Sequence, residues 1–284
     1  MKNIGGASYE VDMKTLLRYS VNLLPDSVRG WIRHIPGLAV LQRLLVNRVL
    51  AGEPFLHTIN CGPASGLVFE VTLPLDKSIW AGTYEDAFAW SIAQAIKPGE
   101  VCYDVGGYRG YMTGAMALAR ASRVLVFEPL PENQQALLRL CALNPNLRIE
   151  LRPVAVGDLD GLIQLRVMAD SSMGKLETST FQAGAPIEKE IQVTIRRIDS
   201  MVHAQEIPPP DLMKIDVEGA ELDVLRGAAE VLARNRPRIF LEAHSASLER
   251  ACTEELARHG YIVRRLESVP GGEETARHLV AIPV

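Results

Sequence analysis

Carboxylates crowd one short stretch of this 284-residue chain. In Asp211-Leu-Met-Lys-Ile-Asp-Val-Glu-Gly-Ala-Glu221, the acids Asp216, Glu218 and Glu221 fall within six positions, directly after an apolar run. Charged side chains are almost never fully buried unless paired. Stabilising a helix N-terminus needs only one or two acids, so the cluster reads as a site. Ile239-Phe-Leu-Glu-Ala-His244 repeats the pattern and brings Glu242 and His244 to the end of a second apolar run. These are general acid/base residue types. His244 is the first choice as base because its ordinary pKa is nearest neutrality. Asp216, Glu218 and Glu242 could orient that imidazole, bind substrate hydroxyls or hold a divalent cation. No metal ligand set is assigned.

A second constellation lies upstream. Val101-Cys-Tyr-Asp-Val-Gly-Gly-Tyr-Arg-Gly110 is followed by Val124-Leu-Val-Phe-Glu-Pro129. It reads as strand, glycine turn, helix, strand and acid, the layout in which a mononucleotide-binding fold grips a ribose. Gly106, Gly107 and Gly110 let the backbone turn into the helix, and Glu128 stands at the ribose position. A dinucleotide sets its pyrophosphate against such a turn. Here Val105 replaces the first glycine of that fingerprint, and Asp104 would repel phosphate while attracting an ammonium, directly or through water. S-adenosylmethionine has a ribose, an adenine and an ammonium but no phosphate, and the pattern favours it.

The elements that position these groups read as alternating strands and helices. Residues 66–75 alternate as a strand in a small antiparallel piece. Tyr84 and Glu85 precede a helix over 87–96 and are placed to cover the cofactor, although an acid at that position also suits the helix dipole. Further helices are expected over 112–120 and 133–143, and a third strand over 149–156 places Ala155 beside the adenine. A strand-like run with Leu162, Leu165 and Val167 leads into a polar loop over 170–179. Residues 212–217 and 237–243 are short buried strands. A helix over 249–259 precedes closing strands at 261–265 and 278–282, separated by Pro-Gly-Gly. The expected fold class is α/β, a doubly wound sheet, in a domain over 63–284. Residues 1–62 read as a helical appendage, with leucines at helical spacing over 16–24 and 35–50. Its apolar stripe is expected to pack on the main domain, with contact to a membrane or, in a homo-oligomer, to a second copy as the alternative.

Composition narrows the function classes. Hydrophobic residues make up 48% and charged residues 23%, ordinary for a globular chain with a sizeable core. A formal net charge of −4 argues against nucleic acid as partner. The four cysteines, Cys61, Cys102, Cys141 and Cys252, have no metal-binding spacing and are expected to be buried and reduced. With no signal peptide and no apolar run of membrane-spanning length, a cytoplasmic location is expected.

Taken together, these residues resemble the FkbM-type S-adenosylmethionine-dependent methyltransferases. The resemblance rests on Gly82-Thr-Tyr-Glu85, Asp104-Val-Gly with Gly110-Tyr111 and Thr113, Phe127-Glu-Pro129, Ala155-Val-Gly-Asp158, Lys214-Ile-Asp-Val-Glu-Gly-Ala-Glu221 with Leu225 and Gly227, and Leu241-Glu242 with His244. It covers about residues 66–265. Gly107 and Tyr108 depart from the family's usual Ala-Asn. The resemblance implies a seven-stranded class I methyltransferase sheet and, commonly, O-methylation of a hydroxyl on a sugar, polyketide or other natural product, so the expected partner is a small-molecule or glycan acceptor. N-methylation of a related acceptor, an NAD-dependent oxidoreductase and a catalytically inactive cofactor-binding module stand as the alternatives.

Overall fold

The computed structural model describes residues 52–168, 174–176, 187–266 and 277–284. Contacts divide the chain into two compact units, the first with described residues 52–57 and 70–80, the second with residues 58–69 and those from 81 onward. Strands β1 (Phe55–Thr58) and β2 (Val68–Val71) form a two-stranded sheet, and α1 (Lys77–Trp80) is a single turn. The helices expected over 16–24 and 35–50 lie outside the described residues. The described part of 1–62 carries the strand β1.

The second unit opens with α2 (Asp86–Ala95), β3 (Val101–Val105), α3 (Tyr111–Leu118), β4 (Arg123–Phe127), α4 (Pro131–Leu143), β5 (Ile149–Arg152) and β6 (Ala155–Val156). It continues with β7 (Gly161–Met168), β8 (Gly174–Leu176), β9 (Ile187–Arg196), α5 (Ile198–His203), β10 (Leu212–Ile215), α6 (Glu221–Gly227) and α7 (Ala229–Arg234). β11 (Arg238–Glu242), α8 (Ala246–Arg258), β12 (Tyr261–Arg265) and β13 (His278–Pro283) close it. Seven strands form one sheet in the order β12-β13-β11-β10-β3-β4-β5. Neighbours from β11 to β5 run parallel, and β13 is antiparallel to both β11 and β12. Strands covered on both faces should be nearly continuous apolar runs. Accordingly, Leu212, Met213 and Ile215 of β10 are fully buried, and Met213 and Ile215 share one core with Tyr103 of β3 and Ile239 and Leu241 of β11.

Parallel register aligns the carboxyl ends of β3, β4, β10 and β11 on one rim, where open α/β sheets bind ligands. Val105 pairs with Phe127 on one side and with Ile215 on the other, so Gly106, Glu128 and Asp216 emerge together.

Two departures from the sequence reading have local causes. The third strand stops at Arg152 because Pro153 has no N–H for the ladder. Ala155 and Val156 then pair with β9 in a separate four-stranded sheet, β6-β9-β7-β8. The expected polar loop over 170–179 includes β8, whose Leu176 pairs with Leu165; the rest of it lies outside the described residues. The sequence carried a signal for β9 in the alternation of Ile191, Val193 and Ile195 with Gln192, Thr194 and Arg196.

Candidate active site

Gly106 carries the glycine turn out of β3 at φ +83°, and a Cβ there would stand 1.7 Å from the carbonyl oxygen of Asp216. A side chain at Gly107 would run into Val126. The turn therefore needs both glycines to lie against the ends of β4 and β10. Gly110 also packs a helix: it caps α3 at φ +94°, and its Cβ would meet Leu137 and Leu140 of α4.

Asp104, expected to face an ammonium, has no exposed surface. Thr113 Oγ1 donates to its Oδ2 at 2.6 Å, and Lys214 Nζ lies 3.2 Å from Oδ1 as an ion pair without hydrogen-bond alignment. Lys214 is also buried. It donates to the carbonyl of Gly106 at 2.7 Å and pairs with Asp216 Oδ2 at 3.2 Å. Burial alone would discharge this amine, but Asp104, Asp216 and Glu85 outweigh it and hold the pKa above the ordinary lysine value. Lys214 thus ties the first glycine of the turn to the acids of two strands. The sequence reading missed it, although a lysine inside an apolar strand was the available signal.

Glu128 is buried at the end of β4. Tyr108 N donates to its Oε2 at 2.8 Å and Leu130 N to its Oε1 at 2.9 Å, with a further side-chain bond from Asn133. Burial still raises its pKa to about 7 against these bonds and the charge of Lys214. A carboxylate has about four acceptor positions, so three donors leave room for a ribose hydroxyl. This donor set fits the expected ligand: one more hydroxyl would complete the anion's solvation.

Ala155 stands apart from these acids. Its side chain is buried in the core of the second sheet with Leu165, Val193 and Ile195, although Leu130, two residues beyond Glu128, joins the same cluster.

The loops after β10 and β11 meet around His244. Its Nδ1 lies 2.7 Å from Glu221 Oε1, while Nε2 faces Glu218 Oε2 at 3.3 Å and Asp216 Oδ1 at 3.6 Å. Glu221 has no exposed surface, and the backbone N–H of Gly219 donates to the same Oε1 at 2.8 Å. Burial opposes a charged imidazole here, yet the hydrogen bond to Glu221 and the charges of Asp216 and Glu218 raise the pKa to about 9. A pKa of about 9 favours the protonated ring at neutral pH and disfavours His244 as the base. Glu218, in a left-handed backbone conformation at φ 55°, is pushed up to about 7 by burial and by Asp216 and Glu242, despite the opposing charge of His244.

Glu85 does not stand alone over the turn. It groups with Glu242 and with His278, a residue that the sequence reading left in a closing strand. Burial first, then Asp216 and Glu242, raise its pKa to about 8.

This geometry can be set beside known proteins. Residues 104–268, more than half of the chain, match the Methyltransferase FkbM domain. The chain belongs to the FkbM methyltransferase family. Methyl transfer in FkbM proteins draws on S-adenosylmethionine, the donor indicated by Asp104 and Glu128. Hexuronic acid methyltransferase AglP of Haloferax volcanii is 31% identical over 135 residues, 47% of this chain and 52% of that protein. Methyltransferase 1 of Beauveria bassiana is 31% identical over 140 residues, 44% of this chain and 56% of the relative. The chain thus spans about half the length of the curated relatives it matches. The crystal structure of Methyltransferase FkbM from Methylobacillus flagellatus KT superposes with a TM-score of 0.50 at 18% identity, covering 66% of this chain and 45% of that one, a likeness of fold. Among the described residues no helix is long and apolar enough to cross a membrane. All four cysteines of this FkbM chain are free, and Cys61 is exposed where burial was expected, its Sγ donating to the Ala81 carbonyl at 2.9 Å.

Proposed function

We propose that this FkbM protein transfers the methyl of S-adenosylmethionine to a hydroxyl of a sugar-type acceptor. The reading rests on one observation above others: β4, β10 and β11 end on one rim with Glu128, Asp216, Glu218, Glu242 and His244, so a ribose grip adjoins a proton acceptor. The matched relative named for hexuronic acid supports a saccharide as acceptor.

Bound S-adenosylmethionine supplies an electrophilic methyl on a sulfonium. Glu128 would hold the ribose, and Asp216, the more exposed of the two acids paired with Lys214, would face the ammonium. The acceptor oxygen must be held on the far side of the methyl from sulfur. Glu218 would take the proton of the acceptor hydroxyl as it is methylated. A carboxylate with a pKa of about 7 is suited to that step near neutral pH. His244, fixed by Glu221, remains protonated and keeps part of the Glu218 population ionised. Glu242 is left to bind acceptor hydroxyls.

The test uses the purified chain with tritium-labelled S-adenosylmethionine and three acceptors: a hexuronic-acid glycoside, a neutral hexoside and a primary amine. Label should pass to a saccharide, with the O-methyl position located by mass spectrometry. Transfer to the amine alone would overturn the reading.

A further inference from the structure

Methyl transfer as described leaves most of one cluster unused. Glu85, Glu242 and His278 each present one potential ligand atom, and the three atoms lie within 4.8 Å of one another. Three elements deliver them. Glu242 ends β11 and His278 opens β13, where the antiparallel register pairs them directly. Residues opposite each other in such a ladder share a face, and His278 Nε2 stands 3.3 Å from Glu242 Oε2. The His278 ring stacks flat on Phe88 of α2, with centroids 4.1 Å apart and planes 6° from parallel, which fixes the direction of Nε2.

Glu85 caps the same helix three residues before Phe88. Its backbone is left-handed, φ 45° and ψ 44°. A residue with a Cβ adopts that conformation at a cost, and such strain collects at functional sites. Tyr84 bonds to the Glu85 carboxylate, but its Oε2 atom is shut off from solvent without a hydrogen bond of its own. An acceptor buried without a donor is costly, and a cation would remove that cost. Two carboxylate oxygens and one imidazole nitrogen suit a divalent ion that accepts both donor types, as Mn²⁺ does. The companion group Asp216, Glu218 and His244 has the same composition but belongs to the proton-transfer site already described.

We propose that Glu85, Glu242 and His278 form a divalent-cation site of the manganese type on the acceptor side of the rim. Three protein ligands leave positions open on a six-coordinate ion, and adjacent hydroxyls of the acceptor are the ligands that fit them. This role toward the acceptor rests on the saccharide reading, whereas binding of the ion does not.

Mn²⁺ is titrated into the full chain and free ion is followed by electron paramagnetic resonance, with S-adenosylhomocysteine affinity measured by calorimetry on the same samples. The wild type should bind one ion per chain. Glu242→Gln and His278→Ala should each weaken Mn²⁺ by at least about tenfold and leave S-adenosylhomocysteine affinity unchanged. His278→Gln serves if the alanine variant fails to fold, as judged by far-UV dichroism. No binding by the wild type up to roughly 1 mM Mn²⁺ would overturn the site, as would equal binding by the folded variants. So would a Glu85→Gln variant that loses S-adenosylhomocysteine but keeps Mn²⁺. Saturable Mn²⁺ binding with these losses, in a chain that methylates no saccharide, would uphold the site and discard the acceptor reading alone.

Discussion

At the residue scale the deciding quantity is which of two neighbours, Glu218 or His244, carries the proton. Charge on His244, 3.3 Å away, lowers the pKa of the Glu218 carboxylate, while burial and the other acids raise it to about 7. Glu218→Gln should therefore reduce kcat by about 10²–10⁴-fold and abolish the acidic limb of the kcat profile near pH 7. S-adenosylhomocysteine affinity, read by calorimetry, should stay near wild type. His244→Gln removes a positive charge, so the limb should move to higher pH; an unmoved limb would place the base elsewhere. Glu128 gives a binding counterpart. Ribose hydroxyls donate to the ionised acid, so wild-type affinity for S-adenosylhomocysteine should fall as pH drops below about 7. Glu128→Gln should cost about 1.5–3 kcal/mol of affinity and flatten that dependence, as calorimetry at several pH values would show.

At the scale of elements, glycines of one turn are held by different neighbours. Gly106 lies against β10, with its missing Cβ 1.7 Å from a backbone oxygen that cannot give way. Gly106→Ala should displace Asp216 and remove S-adenosylhomocysteine binding. Gly110 lies against leucine side-chain ends at 2.6 and 2.7 Å. Gly110→Ala should thus cost about 1–3 kcal/mol in urea denaturation, from left-handed strain and overpacking, while the folded protein keeps its affinity. A Gly110→Ala protein of normal stability that no longer binds would return this glycine to the ligand. Gly227 of α6 makes a similar close approach, its absent Cβ 1.8 Å from the Gly157 carbonyl, which brings α6 against the turn that follows β6.

At the scale of the whole molecule, the perturbed groups of the site share one sign. Glu85, Glu128 and Glu218 have folded pKa values of about 8, 7 and 7 against an ordinary 4.5. The His244 value is about 9 against 6.5. In each case the folded state binds protons more tightly than the unfolded one, so stability declines as pH rises. The contribution of the acids is lost from about pH 4.5 up through 7 to 8, and that of His244, complete below 6.5, is lost as pH rises through about 9. The surface acids Glu150 and Asp160 have lowered values and act in the opposite sense below the ordinary carboxylate range. The ligand-free protein should therefore melt at a lower temperature at pH 9 than at pH 6 in scanning calorimetry. His244→Gln should reduce that difference, and a Tm independent of pH would contradict the proton assignments.

The sequence by itself determined the rim. Asp-x-Gly, Glu-Pro, Asp-Val-Glu-Gly and Glu-Ala-His each follow an apolar run, and parallel strands must bring their carboxyl ends to one side, so local order in the chain fixed which acids meet. Tertiary structure decided what each acid does there. Asp104 became an internal partner of Lys214 because β3 and β10 are neighbours, a pairing between residues 110 positions apart that no local pattern announces. His244 has its pKa raised because Glu221, 23 residues earlier, reaches its ring. His278 joined Glu85 and Glu242 because β13 returns antiparallel beside β11. Protonation and partnership depend on distance and burial, and both are set only when residues far apart in the chain are packed together.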